Sequence, residues 1–380
     1  LGLFIVIRAW QNLIVKFWAL VVAAFFILAL GPYLHVFGKI VAIGDWPIPM
    51  PYLLLYKTIP FIGLTRSLSR YDLMVMLGLG VLVAIALAYL ANLKPTSRLT
   101  FYVSRFAAPL AIILICFEFL SIPYPVSKID TPQFFYDLGA QTEDYVIAEL
   151  PMNWDRPTPM LHQTVHHKRL LTAYTSRDHP SDPARRTPVF QQWRYLGPDI
   201  IDQPLAAIAP TIFVDYDLRY IVLDYWQMPP VPERDATEKW VAAALPGVSP
   251  IYDDGRLKVY EAPPKIDTQP YLSLGDGWSK REQDQTGLLS RSFSATSELL
   301  LHHPQQQPFI LEITATASPA QDLIVLAEGE PVGQFQVTQT LSTQMVNLPP
   351  LADEVVKLEF HANVPTASIS VSRIGLQVNP

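Results

Sequence analysis

Cysteine is almost missing from this chain. Cys116 stands alone among 380 residues, so no intrachain disulfide can form, and any domain outside the cytoplasm must hold together through its own core. Charge is scarce as well. Only 16% of residues are Asp, Glu, Lys or Arg, against about 25% in a typical soluble domain. Acidic residues are rarest in the first third. Up to Pro125 there are three Asp/Glu and nine Lys/Arg, which leaves 31 acidic and 19 basic residues of the chain's 34 and 28 beyond it. A basic, apolar front is thus joined to an acidic, polar back, and the acidic back argues against nucleic acid as a partner. Several signatures of chemistry are also absent: there is no Gly-rich phosphate loop, no Cys pair and no Gly-x-Ser-x-Gly elbow.

What the sequence has instead is apolar length. Half of its residues are hydrophobic and the mean hydropathy is +0.21. Residues 17–36 carry no charge over about the length that crosses a bilayer, and residues 73–93 are as clean, with Gly78 and Gly80 placed for close helix packing. Residues 106–122 form a third run, interrupted by Pro109 and Glu118. These three runs predict an α-helical membrane part over residues 1–125. The chain opens on Leu1 inside an apolar stretch (LGLFIVI), which reads as the tail of a preceding helix. Arg8 and Lys16 before the first run, and Lys94, Arg98 and Arg105 between the second and third, place those flanks in the cytoplasm. Residues 37–72 and everything beyond about 122 are then expected outside, although Lys39, Lys57, Arg66 and Arg70 are positive charges on the disfavoured side. The outer loop is apolar and Pro-broken, with Trp46, Tyr52, Tyr56 and Tyr71 suited to the headgroup zone, so short interfacial helices are expected there.

After a Pro-rich exit, strand signals (YVIAEL, RLLTAY, YIVLDY, RLKVYEA) alternate with helical stretches at 133–140, 188–195 and 234–245. This pattern predicts an α/β (or α+β) extracytoplasmic domain over 126–265. From 271 to 380 only short alternating strands remain, such as FILEITATA, DLIVLAEG and VVKLEFHA, which predicts an all-β sandwich of the jelly-roll kind.

The segments LGPYLHVFGK, IPMPYLLLYKTIPFIGLTRSLSRYDLMVMLGLGVLVA and ELPMNWDRPTPMLHQTVHHKRLLTAYTSR resemble the C-terminal spans and post-membrane domain of bacterial multi-spanning proteins related to the GT-C glycosyltransferases. The shared features are a Gly-Pro at a helix end, a Pro-Tyr loop helix, an Arg-x-x-x-Arg element, an "ELP" strand, a Gln-x-x-His element and a Tyr-x-Ser-Arg element. The resemblance runs from about residue 17 to 264. It implies a polyprenyl-phosphate sugar donor used at the outer face of the bacterial cytoplasmic membrane. It also places the catalytic acidic residue upstream of this chain, so no catalytic residue is identified here. No cofactor is identified either, and any divalent metal would belong to that upstream part. The terminal sandwich resembles appended carbohydrate-binding modules, although its aromatics offer no evident sugar platform. The other reading is a non-catalytic subunit packed among partners in a larger membrane complex.

Four groups of residues are candidates for a site. Arg66 and Arg70, four apart, would share a helix face at headgroup depth and could clamp a lipid phosphate; plain anchoring to anionic lipid, or pairing with Asp72, is the simpler reading. Glu118 is a carboxylate in an apolar helix, within reach of the interface. Gln163, His166 and Arg177 could line a polar groove. His162 and His166 have the spacing of a helical zinc pair, but Gln163 stands where the zinc-protease Glu would be, and Pro157 and Pro159 make a helix doubtful. Asp215 and Asp217 read as caps of the turn into the next strand.

Overall fold

The computed structural model describes the chain except residues 45, 63–66, 93–97, 125, 127–129, 153–155, 175–178, 180, 229–231, 365–366 and 380. The chain divides into two compact units, Leu1–Lys128 and Ile129–Pro380.

The first unit is built from helices α1 (Gly2–Arg8), α2 (Leu13–Ala29), α3 (Pro51–Thr58), α4 (Asp72–Ala91) and α5 (Arg98–Glu118). Asn12 caps α2 by accepting the Ile14 N–H at 2.8 Å. Helix α2 stops at Ala29 and Gly31 takes φ +86°, so the expected run to residue 36 is cut short by Gly31-Pro32, where proline has no N–H for a helix. The loop that follows is only partly helical. It holds two short antiparallel pairs, β1 (His35–Val36) with β2 (Lys39–Ile40) and β3 (Ala42–Ile43) with β4 (Trp46–Pro47). Then come α3, with Pro51 at its first position, and a 3-10 turn, Leu68–Tyr71. Helix α4 packs on α2 through Gly78: a Cβ there would lie 2.6 Å from Val22 Cγ2, whereas Gly80 has no atom within 4 Å of that position. One described helix, Leu68–Ala91, is long and apolar enough to cross a membrane; Leu13–Ala29 and Ala108–Glu118 are apolar but shorter.

The second unit joins an α/β part to a β-sandwich. The α/β part contains α6 (Gln133–Gly139), β5 (Val146–Leu150), α7 (Thr158–His166), β6 (Arg169–Leu170), α8 (Pro183–Arg186), α9 (Phe190–Tyr195), β7 (Ile201–Asp202), α10 (Leu205–Asp215), β8 (Leu218–Asp224), α11 (Glu233–Ala244), β9 (Tyr252–Asp253) and β10 (Leu257–Glu261). Its sheet runs β6-β5-β8-β10-β9, with β6, β5 and β8 parallel and the last two strands antiparallel. Every residue of β5 is buried, as a central parallel strand covered on both faces must be. Val146, Ala148 and Leu150 meet a core with Phe190, Trp193 and Phe213, while Ile147 meets Phe134, Phe135 and Leu138 of α6 on the other face. Helices therefore lie on both sides of the sheet.

The sandwich strands are β11 (Tyr271–Leu274), β12 (Glu282–Gln283), β13 (Leu289–Phe293), β14 (Thr296–His302), β15 (Phe309–Ser318), β16 (Gln321–Ala327), β17 (Glu330–Val337), β18 (Ser342–Leu348), β19 (Val355–Ala362) and β20 (Ser368–Val378). They form two antiparallel sheets, β11-β14-β19-β16-β17 and β12-β13-β20-β15-β18. From β13 onward, first and last strands pair, and so do second and second-last, which is jelly-roll order. In β15 the residues alternate strictly between buried and half-buried along FILEITATA, as one core face and one outer face require. The two parts interlock. Strand β7 leaves the α/β part to pair in parallel with β20, placing Ile200 and Ile201 in the sandwich core, while Tyr271 of β11 packs into the α/β core.

Candidate functional site

The chemistry-bearing residues of the α/β part gather at the carboxyl end of β5. Glu149 is a carboxylate in an otherwise apolar strand, and its position puts it on the face covered by α6 and α7. Helix α7 forms despite its prolines, because Pro157 and Pro159 fall at the helix start, where no N–H is needed. The i, i+4 spacing of His162 and His166 then turns both rings inward, where they are fully buried. His162 Nδ1 lies 2.8 Å from Glu149 Oε2, and His166 Nε2 lies 3.6 Å from Glu149 Oε1. Phe135 stacks on both rings, with centroids 4.1 and 5.6 Å away.

The surrounding hydrogen bonds fix the tautomers. The Lys168 N–H donates to His166 Nδ1 at 3.0 Å, so a neutral His166 carries its proton on Nε2, facing Glu149. His162 donates from Nδ1 to the carboxylate, which leaves its Nε2 as a buried atom without a hydrogen-bond partner. Lys168 is buried beside the pair. Its Nζ donates to the carbonyls of Gln141 and Glu143 at 2.6 and 2.7 Å and sits 5.0 Å from the centroid of the Tyr145 ring. Burial, aided by the neighbouring Tyr220, pushes the Tyr145 phenol up to about 12.

Beyond β5 the loops are pinned. Arg156 donates twice to Glu233, the first residue of α11, at 2.7 and 3.0 Å, and Thr158 donates to Gln227. Arg194 donates to the Met152 carbonyl at 3.1 Å. A cavity of about 10 Å³ lies between Glu149, Arg156, Thr172, Tyr174 and Arg194, room for about one water. Since β6 and β8 flank β5 on opposite sides, this is the topological switch point at which open α/β sheets place ligands. Among the described residues no group of His, Cys, Asp or Glu could hold a metal ion.

The residues expected from sequence are dispersed. Arg70 is exposed in the 3-10 turn before α4, and Arg66 lies outside the described residues. Glu118 is the last residue of α5 and is exposed. His166 faces the interior, so it does not line an open groove. Gln163 donates to the Lys168 carbonyl at 3.0 Å and closes the left-handed turn at His167, and Arg177 lies outside the described residues. Asp215 and Asp217 serve separate partners: Tyr271 and His303 for the first, Arg169 for the second. Sequence reasoning passed over Glu149, Arg156 and Glu233. Glu149 did leave a signal, since a lone acid inside VIAEL must find partners if the strand is buried.

No family model matches this chain, and no curated protein matches it. Among solved structures, the CBM36-1 domain of a multidomain xylanase from the hindgut metagenome of Trinervitermes trinervoides aligns with 30% of this chain and 99% of its own, at 6% identity and TM-score 0.23. A carbohydrate-binding module CBM36 in complex with calcium and xylotriose aligns with 29% and 99%, at 11% identity and TM-score 0.22. The insecticidal delta-endotoxin Cry8Ea1 from Bacillus thuringiensis aligns with 33% and 28%, at 13% identity and TM-score 0.24. Likeness this slight carries no inference about ligand or activity.

Proposed function

We propose that this chain is the C-terminal part of an integral membrane protein related to the GT-C glycosyltransferases, acting with a polyprenyl-phosphate sugar at the outer side of a bacterial cytoplasmic membrane. The observation that carries the membrane half is the surface of the first unit. Leu73, Met76, Leu77 and Leu79 of α4 are exposed, as are Ile112, Ile113, Leu114 and Phe117 of α5 and Phe17, Leu20 and Phe26 of α2. Leaving such side chains in water forgoes about 1.5–3 kcal/mol each relative to burial, and a helix apolar on every side has lipid as its fitting solvent. The sugar half rests on the resemblance and on Arg70 beside the start of α4. A second reading, an accessory or scaffold subunit, is favoured by the closed Glu149 cluster, which admits about one water and no substrate.

Two measurements test the proposal. In a Cys116→Ala background, Ile266→Cys should react with an impermeant thiol reagent on spheroplasts and Gln11→Cys should not; equal labelling would overturn the topology. Native mass spectrometry in detergent should find a polyprenyl-phosphate on the wild type, and at least about tenfold less on Arg66→Gln/Arg70→Gln, since charge-assisted bonds contribute roughly 1.5–3 kcal/mol each. Unchanged retention, or no lipid on the wild type, would discard the donor assignment and leave the scaffold reading.

A further inference from the structure

A cleft of about 510 Å³ opens in the second unit between the α/β part and the outward face of the sheet β13-β20-β15-β18. This lies within the roughly 300–1,000 Å³ of small-molecule sites, which favour domain junctions. The cleft exists because β7 crosses to β20, pairing Ile201 with Ile374 and Asp202 with Gly375. On one side it is lined by Trp240 of α11 and Leu205 of α10, and on the other by Leu341, Thr314 and Ser372 of the sandwich.

The electrostatics of the walls narrow the ligand class. Asp199, buried in the wall, is held by Arg291 through two hydrogen bonds of 2.7 and 2.6 Å. At the rim, Arg373 Nε donates to Asp202 at 2.7 Å, with Glu312 3.6 Å away. Both guanidiniums already face a carboxylate and so offer a phosphate or carboxylate ligand little uncompensated charge, while the Lys239 ammonium lies over one face of the Trp240 ring, 5.5 Å from its centroid, and leaves the other face for a ligand. A purely apolar ligand would displace water from the half-exposed Asp202–Arg373 pair and from the Thr314 and Ser372 hydroxyls without offering them a hydrogen bond in return. The fitting ligand is neutral, with an apolar face and a hydroxylated edge. A pyranose has both, its C–H face suiting Trp240 and its hydroxyls suiting paired carboxylate and guanidinium groups that can accept and donate.

The walls are also pre-organised. Gln203 accepts the Leu272 N–H at 2.8 Å and donates to the Pro270 carbonyl, and Gln192 accepts the Val189 N–H at 2.6 Å. Side chains fixed in this way lose little freedom when a ligand arrives.

We propose that this cleft binds a neutral saccharide, with Trp240 against the apolar face of a pyranose ring and the Asp202–Arg373 pair on its hydroxyls. The cleft uses none of the residues of the donor assignment or of the Glu149 cluster, so it can hold or fail independently of both.

The test uses the full chain in detergent and a panel of β-1,4-linked trisaccharides of glucose, xylose, galactose and N-acetylglucosamine, read by saturation-transfer NMR. At least one trisaccharide should bind the wild type. Arg373→Ala, at a half-exposed side chain, should weaken that binding about tenfold. Thr314→Trp, which fills the cleft from an outward position, should abolish it. Met345→Ala, on the same sheet face but outside the cleft, should leave it unchanged. The proposal is overturned if no trisaccharide binds the wild type, if binding survives both cleft variants, or if Met345→Ala weakens it equally. If Thr314→Trp does not fold, Arg373→Ala decides the matter against Met345→Ala.

Discussion

Removing Arg291 should strongly destabilise the second unit at the joint between its two parts. The guanidinium makes two bonds to Asp199, at 2.7 and 2.6 Å, and a third to the Ser279 carbonyl at 3.0 Å. The Asp199 side chain is fully buried and that of Arg291 is 6% exposed. Arg291→Met therefore leaves a carboxylate sealed in the joint with the Ile200 N–H as its remaining described donor. Breaking one side of such a pair destabilises by about 3–5 kcal/mol, whereas replacing both partners with apolar residues is often neutral or better. At about 2–4 °C per kcal/mol for a unit of this size, Arg291→Met should lower the midpoint by roughly 10 °C, and Asp199→Leu/Arg291→Met should recover most of that loss. Near-UV circular dichroism of the four proteins on heating completes the double-mutant cycle. A single change costing less than about 1 kcal/mol would refute the reasoning, because it would mean that water reaches the pair and that the cleft wall behind it is not rigid.

Two further outcomes follow from packing and from burial. Gly78→Ala should lower the detergent melting point, by about 1–3 kcal/mol of overpacking against Val22, while Gly80→Ala should not; matching losses would mean that α2 and α4 do not meet at Gly78. His302 stacks on Tyr271 at 4.3 Å, and its pKa is pulled down to about 4, chiefly by burial, with Asp215 opposing and His303 adding to the fall. The unfolded chain, titrating near 6.5, then binds the extra proton first, so the contribution of His302 is full above about 6.5 and is lost as pH falls toward 4, on the order of 3 kcal/mol in all. Melting curves from pH 7.5 to 4.5 should fall less steeply for His302→Gln than for the wild type; parallel curves would show that the ring is not kept neutral by burial.

Local patterns were legible in several elements that set one face against a core. The alternation in FILEITATA and DLIVLAEG announces two-faced strands, and VIAEL announces a buried one. The helices expected at 133–140, 188–195 and 234–245 appear as α6, α9 and α11, the first shorter by one residue at its end, the second by two at its start, and the third shifted by one residue toward the N-terminus. Proline misled the reading at α7. Pro157 and Pro159 made a helix doubtful at α7, although a helix start tolerates them; α10, for which no expectation was made, continues through Pro210 while packing Ile208, Ile212 and Phe213 into the core. The Glu149 cluster was half visible, since the histidine spacing is local while the carboxylate it serves lies on a strand before the helix.

The joint between the two parts had no local signature at all. Residues 197–204 (GPDIIDQP) contain two prolines and no alternation long enough for a strand. Yet Asp199 answers Arg291, Ile200 and Ile201 enter the sandwich core, Asp202 answers Arg373, and Gln203 holds β11. The reason lies in a partner far along the chain. Strand β13 pairs with β20 only at residues 369–371, and the β15–β20 ladder shifts register at Thr314 and Ala315. Past that point β20 has an open edge, and an unpaired edge is satisfied by whatever extended backbone reaches it. Two residues suffice for the pairing because the sandwich supplies the order. The same crossing fixes the spacing between Trp240 and the sheet, so the cleft is a product of topology that neither part, read alone, would reveal.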